Sequence, residues 1–248
     1  MDSKQKKQHD AVLAALQKLS TAHFEQAETQ AVKFDPESWS RYLLSADRKP
    51  LESILQALPE ALARGSMTRQ DVVKLADAAT TKARREALLV AALVWGKGPR
   101  NNRMFPSFVR LLSDPRLETA LTTSANHARE GRPADAYQAW RKSGVRGLGE
   151  AFFTKWLWAA SHIGGNEFTI DRPRCLVLDI RVWNSLGHKD HAWSSVVAAG
   201  TKRRPERYEA YTHACALWAD ELEVTAEQVE WTLFSANGSI RAMPTQKT

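Results

Sequence analysis

Two ionisable side chains stand where a charge is costly. Asp179 sits in the run Leu176-Val177-Leu178-Asp179-Ile180-Arg181-Val182-Trp183, and Lys155 is flanked by Phe153, Trp156 and Trp158. A carboxylate in a partly desolvated site stabilises positive charge developing on a reacting group. Failing that, an aspartate in such a run serves as a helix N-cap. A desolvated lysine holds its proton less tightly, so its neutral amine becomes a nucleophile able to form a Schiff base. The alternative is a packed stem whose amine reaches solvent or a phosphate. Upstream, Val145-Arg146-Gly147-Leu148-Gly149-Glu150 places two glycines, one residue apart, ahead of a helix pattern. Such a turn points backbone amides and the positive end of a helix at an anion. Arg141, Lys142 and Arg146 add a local field that suits phosphate; the bland alternative is an ordinary interhelical turn.

The elements around these residues read as helices. Apolar spacing over His9 to Gln30 predicts one long amphipathic helix. Asp35-Pro36-Glu37, Pro50, Thr68 with Asp71, Asp114-Pro115, Pro133 and Thr225 with Gln228 are start signals. Thr80 to Trp95 is basic in front and apolar behind, as a helix entering the core would be, and Gly96 is expected to stop it. Gly96 to Arg103 then reads as a basic Gly/Asn loop, either a connector or a contact surface, before a helix through Met104 to Leu112. A short helix holding Val182, Trp183 and Leu186 follows Asp179; a charged loop, Lys202 to Arg207, enters the helix of Tyr208 to Ala219; and the last helix is expected to end at Gly238. No run alternates with a period of two, so the expected class is all-α.

Bulk properties narrow the field. The chain has 248 residues, 43% of them hydrophobic, enough for one large domain or two small lobes. A net charge of +7 is a weak pointer to a polyanion. Two cysteines, Cys175 and Cys215, cannot build a four-thiolate metal or iron–sulfur site, and buried free thiols are expected. His188 and His191 have a ligand-compatible spacing but no third ligand nearby, so no metal is expected. No apolar run approaches the ~20 residues of a membrane span, which points to a cytoplasmic protein with no membrane partner. Of nine tryptophans, Trp39 and Trp218 read as core, while Trp95, Trp156, Trp158 and Trp183 fall beside the candidate site and could pack or stack on a base.

Four pieces in order, over roughly residues 80 to 240, resemble the helix-hairpin-helix DNA glycosylase superfamily and within it the 8-oxoguanine glycosylase-like branch. Residues 100 to 112 (RNNRMFPSFVRLL) resemble its asparagine-rich loop and following helix, GVRGLGEAFF its hairpin, LVLDIRVW its aspartate segment and VEWTLFSA its C-terminal pocket helix. The resemblance implies two helical lobes with the active site in the cleft between them. An N-terminal scaffold (1–79) would precede a core (80–240) holding the hairpin (141–162), the aspartate segment (175–183) and the pocket helix (225–236), then a tail (241–248).

It further implies that the partner is double-stranded DNA containing a modified base, most simply 8-oxoguanine, bound by a monomer without a cofactor, apart from a structural monovalent cation the hairpin could hold. Asp179 would stabilise the sugar's oxocarbenium character, with Arg146, Gly147, Gly149 and Arg181 on phosphates. Asn101 or Asn102 would fill the gap left by the extruded base, Arg100 or Arg103 would hold its orphaned partner, and Phe234 would stack on the base, beside Trp158 and Trp95. Two positions depart from the pattern. The lyase-competent members' lysine falls at Ala151, one helical turn before Lys155, and Glu230 replaces the glutamine that reads guanine. Glu230 is then either a base reader or a surface charge. These departures leave open a bulky modified base of phage DNA, such as glucosylated hydroxymethylcytosine, as the substrate of a defence factor. A non-catalytic helix-hairpin-helix DNA-binding module is the third reading.

Overall fold

Two helices buried on every side beyond their first turns form the centre of the molecule: α5 (Lys82–Lys97) and α9 (Glu150–Ser161). Ala87 to Trp95 of the first and Phe153 to Ser161 of the second are all buried, and the two pack on each other. A helix apolar all round has no solvent face to satisfy, which is why both sequences lack a polar stripe. The computed structural model describes residues 3–19, 21–39, 58–97, 105–188, 193 and 204–237. Arg100, Asn101, Asn102, Arg103, Pro50, His191 and Gly238 lie outside them.

The remaining elements wrap this pair in chain order: α1 (Ser3–Leu16), α2 (Thr21–Thr29), β1 (Ala31–Lys33), α3 (Pro59–Arg64), β2 (Ser66–Thr68), α4 (Arg69–Ala76), then α5, α6 (Phe105–Leu112), α7 (Leu117–Arg129), α8 (Pro133–Lys142), α9, α10 (Ile180–Leu186), α11 (Arg204–Leu222) and α12 (Ala226–Ala236). The fold class is all-α. Helix α8 packs on α7 and α11, α9 also packs on α7, and α12 packs on α10, α11 and α2. Several start signals act as read: Asp35 accepts from the Glu37 amide, Pro133 opens α8, and Thr68–Asp71 and Thr225–Gln228 close reciprocal capping boxes. Asp114 does not cap α7, since it accepts from the Arg116 amide in the turn ahead and the helix starts at Leu117 without a side-chain cap.

Four further expectations are corrected. His9 to Gln30 is two helices, closed at the first by a Leu19 amide bond to the Leu16 carbonyl. A two-stranded antiparallel ribbon exists, with Ala31 opposite Thr68, Val32 opposite Met67 and Lys33 opposite Ser66. Three-residue strands are too short to display alternation. Helix α5 runs through Gly96 to Lys97. Asn237, at φ 44, takes the left-handed position that ends α12. Cys175 and Cys215 are buried free thiols, Trp39 and Trp218 are core, and among the described residues no helix is long and apolar enough to cross a membrane.

Candidate active site

Asp179 ends a buried extended segment that has no strand beside it. Its backbone groups must therefore find side-chain partners. Tyr208 Oη accepts from the Leu176 amide at 3.1 Å and donates to the Leu176 carbonyl at 2.6 Å; Tyr211 Oη donates to the Val177 carbonyl at 2.9 Å; Thr154 Oγ1 accepts from the Leu178 amide at 3.0 Å. Helices α11 and α9 thus pin the strand-like stretch that delivers the aspartate. Asp179 is the N-cap of α10, its Oδ1 accepting from the Arg181 amide at 3.0 Å. Its Oδ2 lies 3.9 Å from Lys155 Nζ. The capping and chemical readings coexist because each uses a different oxygen.

Lys155 does not snorkel. It is buried, and its stem runs back along α9, as Cα–Cβ bonds in a helix tilt toward the N-terminus, until Nζ donates to the Ala151 carbonyl at 3.0 Å. The amine therefore sits level with the residue that holds the lysine in the resemblance. Burial lowers its pKa from the ordinary 10.5, against the raising influence of Asp179 and Glu230, with Arg69 lowering it further. Gly96 makes this path available: a Cβ there would lie 2.2 Å from Lys155 Cδ and 2.5 Å from Cε. The glycine is a notch inside α5 and does not stop it. Gly96→Ala gains about 1 kcal/mol of helix propensity but overpacks the buried Lys155 stem at a cost of about 1–3 kcal/mol, so thermal stability should fall by no more than about 2 kcal/mol and the protein stays folded. It should still cost about 10²-fold in single-turnover base release, because a misplaced reacting group is that expensive. Unchanged release would show that the lysine's path is immaterial.

The Lys155–Asp179 pair borders a cavity of about 230 Å³ whose other walls include Arg69, Trp95, Gly96, Glu230, Trp231 and Phe234. Exposure falls inward: the side chain of Asp179 is 20% exposed, Arg69 7% and Glu230 1%. Glu230 is no surface charge, since it forms a buried ion pair with Arg69 Nη2. Burial raises the Glu230 pKa, and Arg69 and then Lys155 oppose it. The Arg69 guanidinium packs against both the Trp95 and Trp158 rings, 4.9 and 5.2 Å from their centroids, and the two rings touch each other at 5.1 Å. Trp95 borders the cavity; Trp158, 1% exposed, lies behind Arg69 and supports it. Phe234 stacks on Trp231 at 5.6 Å and carries the Arg181 guanidinium at 4.3 Å. Trp156 belongs to the core, its Nε1 donating to Ser124.

Asp179 also borders a second hollow of about 360 Å³, with Glu150, Ala151, Ile180, Trp183, Arg204 and Arg207. Ile180, 67% exposed, is the large exposed hydrophobic among the described residues. The hairpin's first turn flanks this side. Gly147 has φ 108 and a Cβ there would meet the Ser107 carbonyl at 3.0 Å, so the fold itself requires glycine. Gly149 has φ −73 and open space around a Cβ. The fold itself does not require glycine at this position. Gly149→Ala should therefore cost at most about 1 kcal/mol of stability as a poorer N-cap, and weaken duplex binding about tenfold, the worth of one close phosphate contact. Fluorescence anisotropy at fixed salt checks this; full affinity would remove Gly149 from the interface. Arg146 is exposed on the same hairpin.

The sequence reading missed Arg69, Gly96 as a seat, Trp231, and the tyrosines Tyr208 and Tyr211. Only the tyrosines carried a local hint, since an apolar extended run without a strand partner demands hydroxyl donors. Among the described residues no group of three His, Cys, Asp or Glu side chains could hold a metal ion.

An all-α chain with a glycine hairpin ahead of α9, and with a helix-capping aspartate and a buried lysine bordering one cavity, carries residue types that the chemistry of a DNA glycosylase could use. Residues 25–234 match the family described as "Putative 8-oxoguanine DNA glycosylase OGG-like protein". The chain belongs to this family. No curated protein and no solved structure gives a match.

Proposed function

We propose that the protein flips a modified base of the 8-oxoguanine type out of duplex DNA into the cavity bordered by Arg69, Glu230 and Phe234, and cleaves its N-glycosidic bond, leaving an abasic site. The observation that carries this is the place of Asp179, which borders both that cavity and the hollow beside the hairpin helix. DNA held by Arg146, Gly147, Gly149, Arg181 and the basic entrance of α11 would set its sugar at Asp179 and its base inward. As the C1′–N bond breaks, its electron pair leaves with the base, and Asp179 Oδ2 faces the positive charge on the sugar. The neutral Lys155 amine attacks C1′ and, once the sugar ring opens, forms a Schiff base; without that attack, water takes C1′ and the enzyme is a simple hydrolase.

A base carrying a hexose fits this reading poorly. The cavity lies below the ~300–1,000 Å³ of pockets that take drug-sized ligands, and matches a single ring system. A DNA-binding module without chemistry gives no reason to bury Lys155 beside Asp179. Mass spectrometry of bases released from a panel of modified duplexes tests the proposal: an 8-oxopurine is expected among the products. Salt-dependent binding without any released base would return the protein to the binding-module class.

A further inference from the structure

Buried polar atoms normally have partners. Around this cavity several do not: Arg69 Nε and Nη1, Trp95 Nε1 and Trp231 Nε1 find no partner within the protein. All are N–H donors, and the residues that carry them line the cavity together with Glu230. Four donors beside an acceptor describe an edge that a polar ring could complete.

We infer that Arg69 is a specificity-determining residue, which fixes the Glu230 carboxylate through Nη2 and offers its remaining N–H groups to a carbonyl oxygen of the extruded base. This rests on the glycosylase reading and goes beyond it, since it assigns a base-reading role to a residue of α4. Contact with the Trp95 and Trp158 rings on one side and the Nη2 bond to Glu230 hold the guanidinium in place, so its fork is pre-oriented. An ionised carboxylate only accepts hydrogen bonds, and Glu230 Oε2 is already oriented by Arg69. The matching edge is a carbonyl oxygen next to two N–H donors, which is the O6, N1–H and N2–H2 edge of a guanine-type base. Adenine presents an amine where the carbonyl stands and an acceptor where N1–H stands, so its donor faces Arg69 and its acceptor faces Glu230. Such mismatches leave buried groups unpaired on both sides, which is how a hydrogen-bonding site rejects an analogue of the same size.

Single-turnover release from duplexes carrying 8-oxoguanine, 8-oxoadenine or 8-oxohypoxanthine tests the assignment, because the three share the 8-oxo half and differ on the edge in question. Wild-type protein should release 8-oxoguanine at least about 10²-fold faster than 8-oxoadenine. It should also release 8-oxoguanine about tenfold or more faster than 8-oxohypoxanthine, which lacks only the exocyclic amine. The double variant Arg69→Met with Glu230→Gln removes the pair without leaving a lone buried charge; it should still release 8-oxoguanine and narrow the adenine ratio to within about tenfold. Arg69→Lys, which keeps the charge and loses the fork, should narrow it as well. A purely structural ion pair would lower all rates together and leave the ratios unchanged. Wild-type ratios near one, or ratios unchanged in the folded double variant, overturn the assignment. If the wild type frees some other base of the panel and no 8-oxopurine, the glycosylase reading stands and the role of Arg69 falls. If it frees none, both fall.

Discussion

Asp179→Asn is expected to slow single-turnover base release by about 10²–10³-fold, the cost of removing one preorganised electrostatic stabiliser, while duplex affinity stays within a few-fold. The substitution isolates charge from architecture. Asparagine is as good an N-cap as aspartate, so its side-chain oxygen can keep accepting from the Arg181 amide and α10 can start where it does now. The tyrosine and threonine hydroxyls that hold residues 176 to 178 are untouched. Lys155 is not a confounder, since the Asp179 charge raises its pKa; removing that charge leaves the amine more readily neutral and better suited to attack. A loss therefore reports the missing charge opposite the sugar. Release within tenfold of wild type would end the stabilising role of Asp179.

The second large effect concerns Lys155. Borohydride should trap wild-type protein on DNA that contains the lesion, and Lys155→Gln should abolish trapping and lower base release by about 10²-fold or more, as loss of an activated nucleophile does. The pH profile supplies an independent sign. Only the neutral amine attacks, and burial places its pKa below the ordinary 10.5. The rate should therefore rise with pH through that lowered pKa and level off before free lysine would have titrated. Excision by the wild type without any trapped product would assign the attack to water and leave Lys155 a partner that keeps Asp179 in place.

Local chemistry made part of this site readable. Asp179 was legible as a cap because a capping side chain bonds an amide two residues on. The boxes at Thr68 and Thr225 were legible for the same reason of short range. The hairpin was legible because Gly147 needs a positive φ, a demand on backbone alone. Lys155 was readable as desolvated from its aromatic neighbours, but its reach to the Ala151 carbonyl needed α5 to close over it. Glu230 stood open between a surface charge and a buried reader, because its helix carries its apolar residues against α10, α11 and α2 together and no single periodic stripe marks which side is inside.

The linear order of the residues was enough for the all-α class, the hairpin, the capped aspartate and the family, since each depends on groups within a few positions of one another. Packing alone decided the rest. Arg69 meets Glu230 across 161 positions, Gly96 of one buried helix seats a lysine of another, and two tyrosines of α11 satisfy a segment more than thirty residues before them. A buried ion pair or a side-chain notch arises only where two elements come within contact distance, and that distance is set by how whole helices stack.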